Sequence, residues 1–396
     1  MKTVFYNGRF LLPEGVQTGI YLSVENGIIS DISSTPPQTA DSVIDLDGKY
    51  LSPGFIDIHT HGAGGHDFMD ATEEAMKGAC LTHLRHGTTS IVPTTLTCTN
   101  DELFTFFSVY RAVKNNWDDG PNLLGIHLEG PFFSPLQAGA QDPHYLQLPR
   151  EEYYLPILQA GGENIVRVSA AVELDGALNL GKELRARGIL ASIGHSDADY
   201  SQVCEAVNAG YTHLTHFYSG MSSLHRVGPY RVLGVVESGY LLDELSIEII
   251  ADGKHLPPEL LRLIVKLKGI DNITLITDSM RGAGRPEGEY VRLGSLTKGQ
   301  EVRIQDGVAM MPDGKAFAGS VCTADRCVRT MVRMAGVSIP DAVRMMTENP
   351  AKLLKLQHKK GSLAPGMDAD LVVFDDAIQV HSVYVGGALR YSSECR

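Results

Sequence analysis

Along this chain, short apolar runs rich in β-branched residues alternate with stretches whose apolar positions repeat at helical spacing. Eight such runs follow one another: Gly54–His59, Thr89–Thr94, Leu123–Gly130, Val166–Glu173, Leu190–Ser196, Thr212–His216, Ser246–Asp252 and Ile273–Asp278. Near-continuous apolar runs, as opposed to strict alternation, mark strands covered on both faces. The intervening segments, among them Glu73–Arg85, Ala177–Arg187, Ser201–Ala209 and Pro258–Lys268, supply the covering helices. Eight such units predict an α/β fold, a parallel (β/α)8 TIM-like barrel. The chain ends read otherwise: Thr3–Leu12, Gly19–Ser33, Ser42–Gly54 and Asp368–Tyr391 show hairpin-like alternation, the N-terminal segments with Asn-Gly and Asp-Gly turns. Both ends are expected to meet in one small discontinuous β-sandwich domain, residues 1–52 plus 358–396, beside a barrel domain of residues 53–357.

Composition narrows the function classes. The 396 residues exceed what one core usually fills, about 250–300 residues, so a barrel with a smaller companion is the right size. No stretch approaches the ~20 apolar residues of a membrane span, and the start, MKTVFYNGRFLLPEG, has neither an apolar h-region nor a small-residue cleavage site. A cytoplasmic protein with no membrane partner is expected. A formal net charge of −13 repels polyanions, which argues against nucleic acid and for a small substrate. Six cysteines, Cys80, Cys98, Cys204, Cys322, Cys327 and Cys395, lack C-x-x-C spacing and read as reduced thiols. Any metal is therefore expected on nitrogen and oxygen ligands.

The candidate chemistry sits at the strand ends. His59 and His61 are two apart, so on a strand both imidazoles emerge on one face, as two corners of a metal shell. The third run ends at His127 and Glu129, the fifth at His195, the sixth at His216, the seventh at Asp252 with His255 just beyond, and the eighth at Asp278. Barrel enzymes work at the C-terminal ends of their strands, so these groups are expected to converge on one mouth. By strand alternation His213 and His216 lie on opposite faces, so only one of them is expected to point inward. Such a set suits metal-assisted hydrolysis, in which a divalent cation acidifies water and polarises a carbonyl. Asp278 is positioned to carry the proton from attacking water to the leaving nitrogen, and His255 to donate to the developing oxyanion.

The stretches PGFIDIHTHG, HLEGPF, SIGHSDA, LTHFYSGM, IADGKH, LITDSMRGAG and NPAKLLKL with KGSLAPGMDADLVVFD together resemble the amidohydrolase superfamily, and within it the N-acetylglucosamine-6-phosphate deacetylases. The resemblance spans essentially the whole chain. It implies Glu129, His195 and His216 as main metal ligands, His59 with His61 as the pair able to hold a second ion, Asp278 as catalytic aspartate and His255 as the carbonyl-polarising histidine. It implies one or two divalent cations, zinc foremost, with iron, cobalt and manganese open. The sugar-phosphate contacts depart from the family pattern. Ser219-Gly220 stands where an Asn-Ala pair is usual, and Gln141 replaces a substrate-contacting histidine. The family's phosphate-binding arginine crosses from a partner subunit, which implies a homodimer and points to Arg226, or to Arg231 as the other choice. The implied reaction is deacetylation of N-acetylglucosamine 6-phosphate. The alternatives are N-acetylgalactosamine 6-phosphate or another amide, and a scaffold that has lost catalysis.

Overall fold

The computed structural model describes residues 1–296, 299–314 and 317–394. Eight parallel strands form in the predicted order: Phe55–Thr60, Thr88–Pro93, Ile126–Glu129, Ile165–Ala170, Leu190–Ile193, Tyr211–Leu214, Ser246–Ile250 and Ile273–Ile276. The last six pair consecutively in one sheet, and the first two pair in another with the short piece Asn122–Leu123. The two sheets join at the Thr94–His127 bridge and through Leu124 N–H donating to the Ile91 carbonyl at 3.0 Å. On the other side, Asp278 N–H donates to the His59 carbonyl at 2.9 Å, while Thr277 Oγ1 donates to Asp57 Oδ2 at 2.6 Å. The eight strands thus close into a TIM-like barrel, and its seam runs beside two of the predicted site residues.

The covering helices follow local rules. Glu73–Arg85 starts at Thr72, whose side chain accepts from Ala75 N–H, carries Glu73 and Glu74 in its first turn and ends with His83 and Arg85. Ala177–Arg187 stops at Gly188, which takes the left-handed conformation at φ 73°. Pro258–Lys268 also has its predicted bounds. The helix predicted from Ser201 begins at Tyr200, because Asp199 and Gln202 form a capping box there.

At the chain ends, a six-stranded sheet runs in the spatial order Ala388–Ser392, Val380–Val385, Leu371–Phe374, Tyr50–Pro53, Arg9–Leu12 and Gly15–Gln17. A four-stranded sheet contains Ile28–Ser33, Tyr21–Glu25, Lys2–Tyr6 and Ser42–Asp45. Phe5, Leu22 and Ile29 from the smaller sheet and Phe10, Leu51 and Leu371 from the larger one share a single apolar core.

Several elements lie outside the expected pattern, two of them near the site residues. A three-stranded antiparallel sheet, Tyr290–Leu293, Gln300–Gln305 and Val308–Met310, follows the eighth barrel strand, and an exposed hairpin pairs His225–Val227 with Tyr230–Val232. The first carried a readable signal, since Gln300–Gln305 alternates exposed and buried positions before an Asp306-Gly307 turn. Among the described residues no helix is long and apolar enough to cross a membrane. Cys80, Cys98, Cys204, Cys322 and Cys327 are unbridged; Cys395 lies outside the described residues.

Candidate metal centre

All the predicted ligands meet at the C-terminal mouth of the barrel. Glu129 is 2 % exposed and stands at the centre. Its Oε1 lies 3.0 Å from His216 Nε2 and 3.3 Å from His195 Nε2, and the two imidazole nitrogens are 3.1 Å apart. Its Oε2 lies 3.2 Å from His61 Nε2, while His59 Nε2 is 3.3 Å from Oε1. Two overlapping triads result, His59–His61–Glu129 and Glu129–His195–His216, each with ligand atoms within 4.8 Å of one another. Asp278 adjoins the first, its Oδ1 lying 3.3 Å from His61 Nε2 and 3.6 Å from His59 Nε2.

The far sides of the rings set which nitrogen faces the cluster. His195 Nδ1–H donates to the Gln137 carbonyl at 2.8 Å, and His216 Nδ1–H to the Ser219 carbonyl at 3.1 Å. His59 Nδ1–H donates to Glu248 Oε1 at 2.7 Å. In the neutral tautomer each ring therefore turns an Nε2 lone pair toward Glu129. Lone pairs and a carboxylate crowded at about 3 Å repel unless positive charge lies among them. His59 Nε2, fully buried, has no hydrogen-bond partner among the described residues, which fits a nitrogen whose lone pair serves a cation. Protons are the competing occupants. Burial acts to lower the His59 pKa, yet the charges of Glu129, Asp278 and Glu248 carry it up to about 9. Burial likewise acts to raise the Glu129 carboxyl, and the neighbouring His59 charge and histidine hydrogen bonds hold it well below the usual carboxylate range. The donor set fits divalent cations of the zinc and iron type on both triads.

Beneath this layer lies an ion pair that sequence reading did not single out. Arg167 is the largest fully buried side chain among the described residues; its guanidinium donates to both oxygens of Glu248, at 2.5 and 2.7 Å. Glu248 in turn accepts from His59 Nδ1 and, at 3.1 Å, from the His216 backbone N–H. Removing one member of such a pair leaves a buried charge uncompensated. Arg167→Met is accordingly expected to lower the unfolding free energy by about 3–5 kcal/mol, as read from denaturant titration of the full chain. A loss under about 1 kcal/mol would show that the pair contributes no more than a surface ion pair.

The alternation argument fails at the sixth strand. His213 also points into the barrel, with Nδ1 2.8 Å from Ser246 Oγ and Nε2 3.5 Å from Glu248 Oε2. The strand ends at Leu214, and His216 takes a left-handed backbone, φ 29°, so a three-residue separation no longer puts the two side chains on opposite faces. His195 (φ 49°) and Asp278 (φ 44°) share this left-handed conformation, an unfavourable state for non-glycine residues that clusters at functional sites. His127 belongs to the layer below: its Nε2 bonds Ser169 Oγ at 2.7 Å, and burial with the nearby Arg167 charge pushes its pKa well down.

The ligands open onto a cavity of about 250 Å³, which His255, Asp278, Gln141, Ser219 and Gly220 help to line. Its remaining walls include Leu96, Leu293 and Phe317, none of them anticipated from motifs. Leu293 comes from the unexpected three-stranded sheet. His255 Nδ1–H donates to Asp252 Oδ2 at 2.8 Å, and the other Asp252 oxygen accepts from the Lys254 and His255 backbone N–H groups. Asp252 is thus the orienter of His255. Gln141, expected at the substrate, has its amide engaged with Glu129 and Thr97. Arg226 and Arg231 pair across the exposed hairpin and do not line this cavity.

The family model described as "Amidohydrolase family" matches residues 50–390. The N-acetylglucosamine-6-phosphate deacetylase of Lysinibacillus sphaericus is 35% identical over 370 residues, 93% of this chain and 92% of that one. The chain belongs to the N-acetylglucosamine-6-phosphate deacetylase family of amidohydrolases. As a member it is a hydrolase acting on an amide, and the scaffold alternative falls away. Other members are as similar. The N-acetylgalactosamine-6-phosphate deacetylase of Escherichia coli O157:H7 is 33% identical, with 98% of this chain and 99% of that one covered. The N-acetylglucosamine-6-phosphate deacetylase structure from Pasteurella multocida superposes with a TM-score of 0.90 at 27% identity, covering 99% of this chain and 100% of that one. A Mycobacterium smegmatis deacetylase variant in complex with N-acetyl-D-glucosamine-6-phosphate gives 0.88 at 30% identity, with 99% of each chain covered.

Proposed function

We infer that this protein hydrolyses the acetamide of N-acetylglucosamine 6-phosphate to acetate and glucosamine 6-phosphate. The observation that carries the reading is one carboxylate, Glu129, shared between two histidine pairs with Asp278 against one of them. His59, His61, Glu129, His195 and His216 would hold one or two divalent cations, zinc foremost. Such ions, when bound, polarise the amide carbonyl and acidify water. Asp278, a carboxylate whose pKa burial alone would raise but which the His59 charge and the His61 hydrogen bond bring below the usual range, is ready to accept the proton of the attacking water. It then returns that proton to the amine nitrogen as the C–N bond breaks. His255, its Nδ1–H held by Asp252, donates from Nε2 in its doubly protonated form to the carbonyl oxygen as negative charge develops there.

Backbone groups of Ser219 and Gly220 receive the sugar, and Arg226 of a second copy receives the phosphate, in a cytoplasmic homodimer. The exposed hairpin supports this reading, since an arginine raised on an arm is placed to serve a neighbour's site better than its own. The terminal sheets form a discontinuous domain, residues 1–52 with 358–396, beside the barrel of residues 53–357; their shared core supports that division. Arg226→Ala is expected to raise KM for the sugar phosphate by about 10- to 100-fold, the value of one or two charge-assisted bonds to phosphate, with unfolding unchanged. If Arg231→Ala produces the rise instead, the phosphate contact passes to Arg231.

The second reading is N-acetylgalactosamine 6-phosphate. It is favoured by the Escherichia coli relative and by the changes at Ser219 and Gly220, which fall where the sugar is received while leaving the ligand set intact. Acetate release from the two epimeric sugar phosphates under equal conditions separates the readings by kcat/KM. Activity on neither would remove the sugar-phosphate assignment.

A further inference from the structure

Gln141 is 5 % exposed, and both ends of its amide are occupied. Its Oε1 accepts from the Thr97 backbone N–H at 2.8 Å, and its Nε2 donates to Glu129 Oε2, also at 2.8 Å. These partners leave one orientation of the amide. A flipped amide would set two donors together at Thr97 and two acceptors together at Glu129. The loop is itself held, Gln141 N–H donating to the Ala138 carbonyl at 3.0 Å with Gly139 left-handed at φ 60°.

A glutamate's terminal torsion is soft, so a carboxylate turns easily unless something holds it. Here the turn matters. Oε1 faces His195, His216 and His59, whereas Oε2 is the oxygen that faces His61 and the Gln141 amide, so only Oε2 reaches the outer ring of the His59–His61 pair. The two histidine pairs are not equally anchored: His195 and His216 each have a backbone carbonyl on Nδ1 and His59 has Glu248, but His61 Nδ1 has no partner among the described residues. A carboxylate free to rotate would be drawn wholly to the better-anchored pair.

We propose that Gln141 is a positioning residue that keeps Glu129 divided between two cation sites, and that without its hydrogen bond the His59–His61 site loses its ion first. The inference rests on the two-site form of the reading above. It differs from a substrate-contact role, because its first effect is on metal retention in the absence of substrate.

The test uses the full-length protein loaded with Zn²⁺ and challenged with graded chelator, the retained metal being counted by elemental analysis. Wild type should hold two equivalents. Gln141→Leu should release one of them at about 10- to 100-fold lower chelator strength, the usual effect of removing a ligand's hydrogen-bond partner, while the other leaves as in wild type. Gln141→Met, unbranched and of similar length, should do the same and serves if the leucine variant misfolds. Equal weakening of both equivalents, or of neither, overturns the proposal. A wild-type protein that holds a single equivalent overturns the two-site reading itself, and that failure is visible before any variant is made.

Discussion

Asp278→Asn is expected to leave both cations bound and the fold intact, and to lower kcat by about 10²- to 10⁴-fold, the range that a positioned general acid–base contributes. The asparagine has the same shape and keeps an oxygen, so packing at the barrel seam, where the Asp278 backbone N–H reaches the His59 carbonyl, is undisturbed. What it lacks is a basic oxygen able to take a proton and give it back. Asp278 is a peripheral neighbour of the first triad, 3.3 Å from His61 Nε2, and is not a member of either triad. Metal content should therefore hold while turnover collapses. The measurement pairs elemental analysis with steady-state acetate release. An unchanged rate would take the aspartate out of the mechanism, and loss of metal would make it a ligand.

Glu129→Ala should have the opposite signature. Because one carboxylate serves both histidine pairs, its removal is expected to strip both cations and abolish turnover, whereas His195→Ala, which touches a single triad, should release one. The deletion also leaves histidine lone pairs facing one another with no anion to hold positive charge between them. Loss of bound ions should lower Tm as well, since ligands that bind only the folded state stabilise it. Elemental analysis and thermal unfolding of the two variants check this together. Glu129→Ala protein that keeps two equivalents would end the idea of a shared carboxylate.

Much of the frame is legible in the amino-acid sequence alone. The helix from Glu73 to Arg85 is announced by Thr72 and by its charge gradient, and the one from Ala177 to Arg187 by Gly188. The strands that carry His59 and Glu129 at or next to their ends showed in apolar runs that reach a titratable residue. These signals are local: a cap, a terminator and a period are each contained within one turn or one strand. The motif resemblance then singled out the candidate ligands, because each motif carries its residue at or just past a strand end.

Other features were illegible for a physical reason. Alternation assumes a strand that continues, and His216 lies past the end of one, where a left-handed residue turns the chain. No local pattern says that Arg167 and Glu248 meet, since 81 residues separate them and each looks like an ordinary charged residue in an apolar run. Gln141 was visible as a departure from its family, but its bond to Glu129 exists only because the loop after the third strand folds back over that strand's end. Local chemistry along the chain thus specified which elements form and which residues cap their ends. Barrel closure, by bringing distant strand ends within 3–4 Å, settled which of those residues share a charge, which orient a neighbour, and which oxygen of Glu129 faces which histidine.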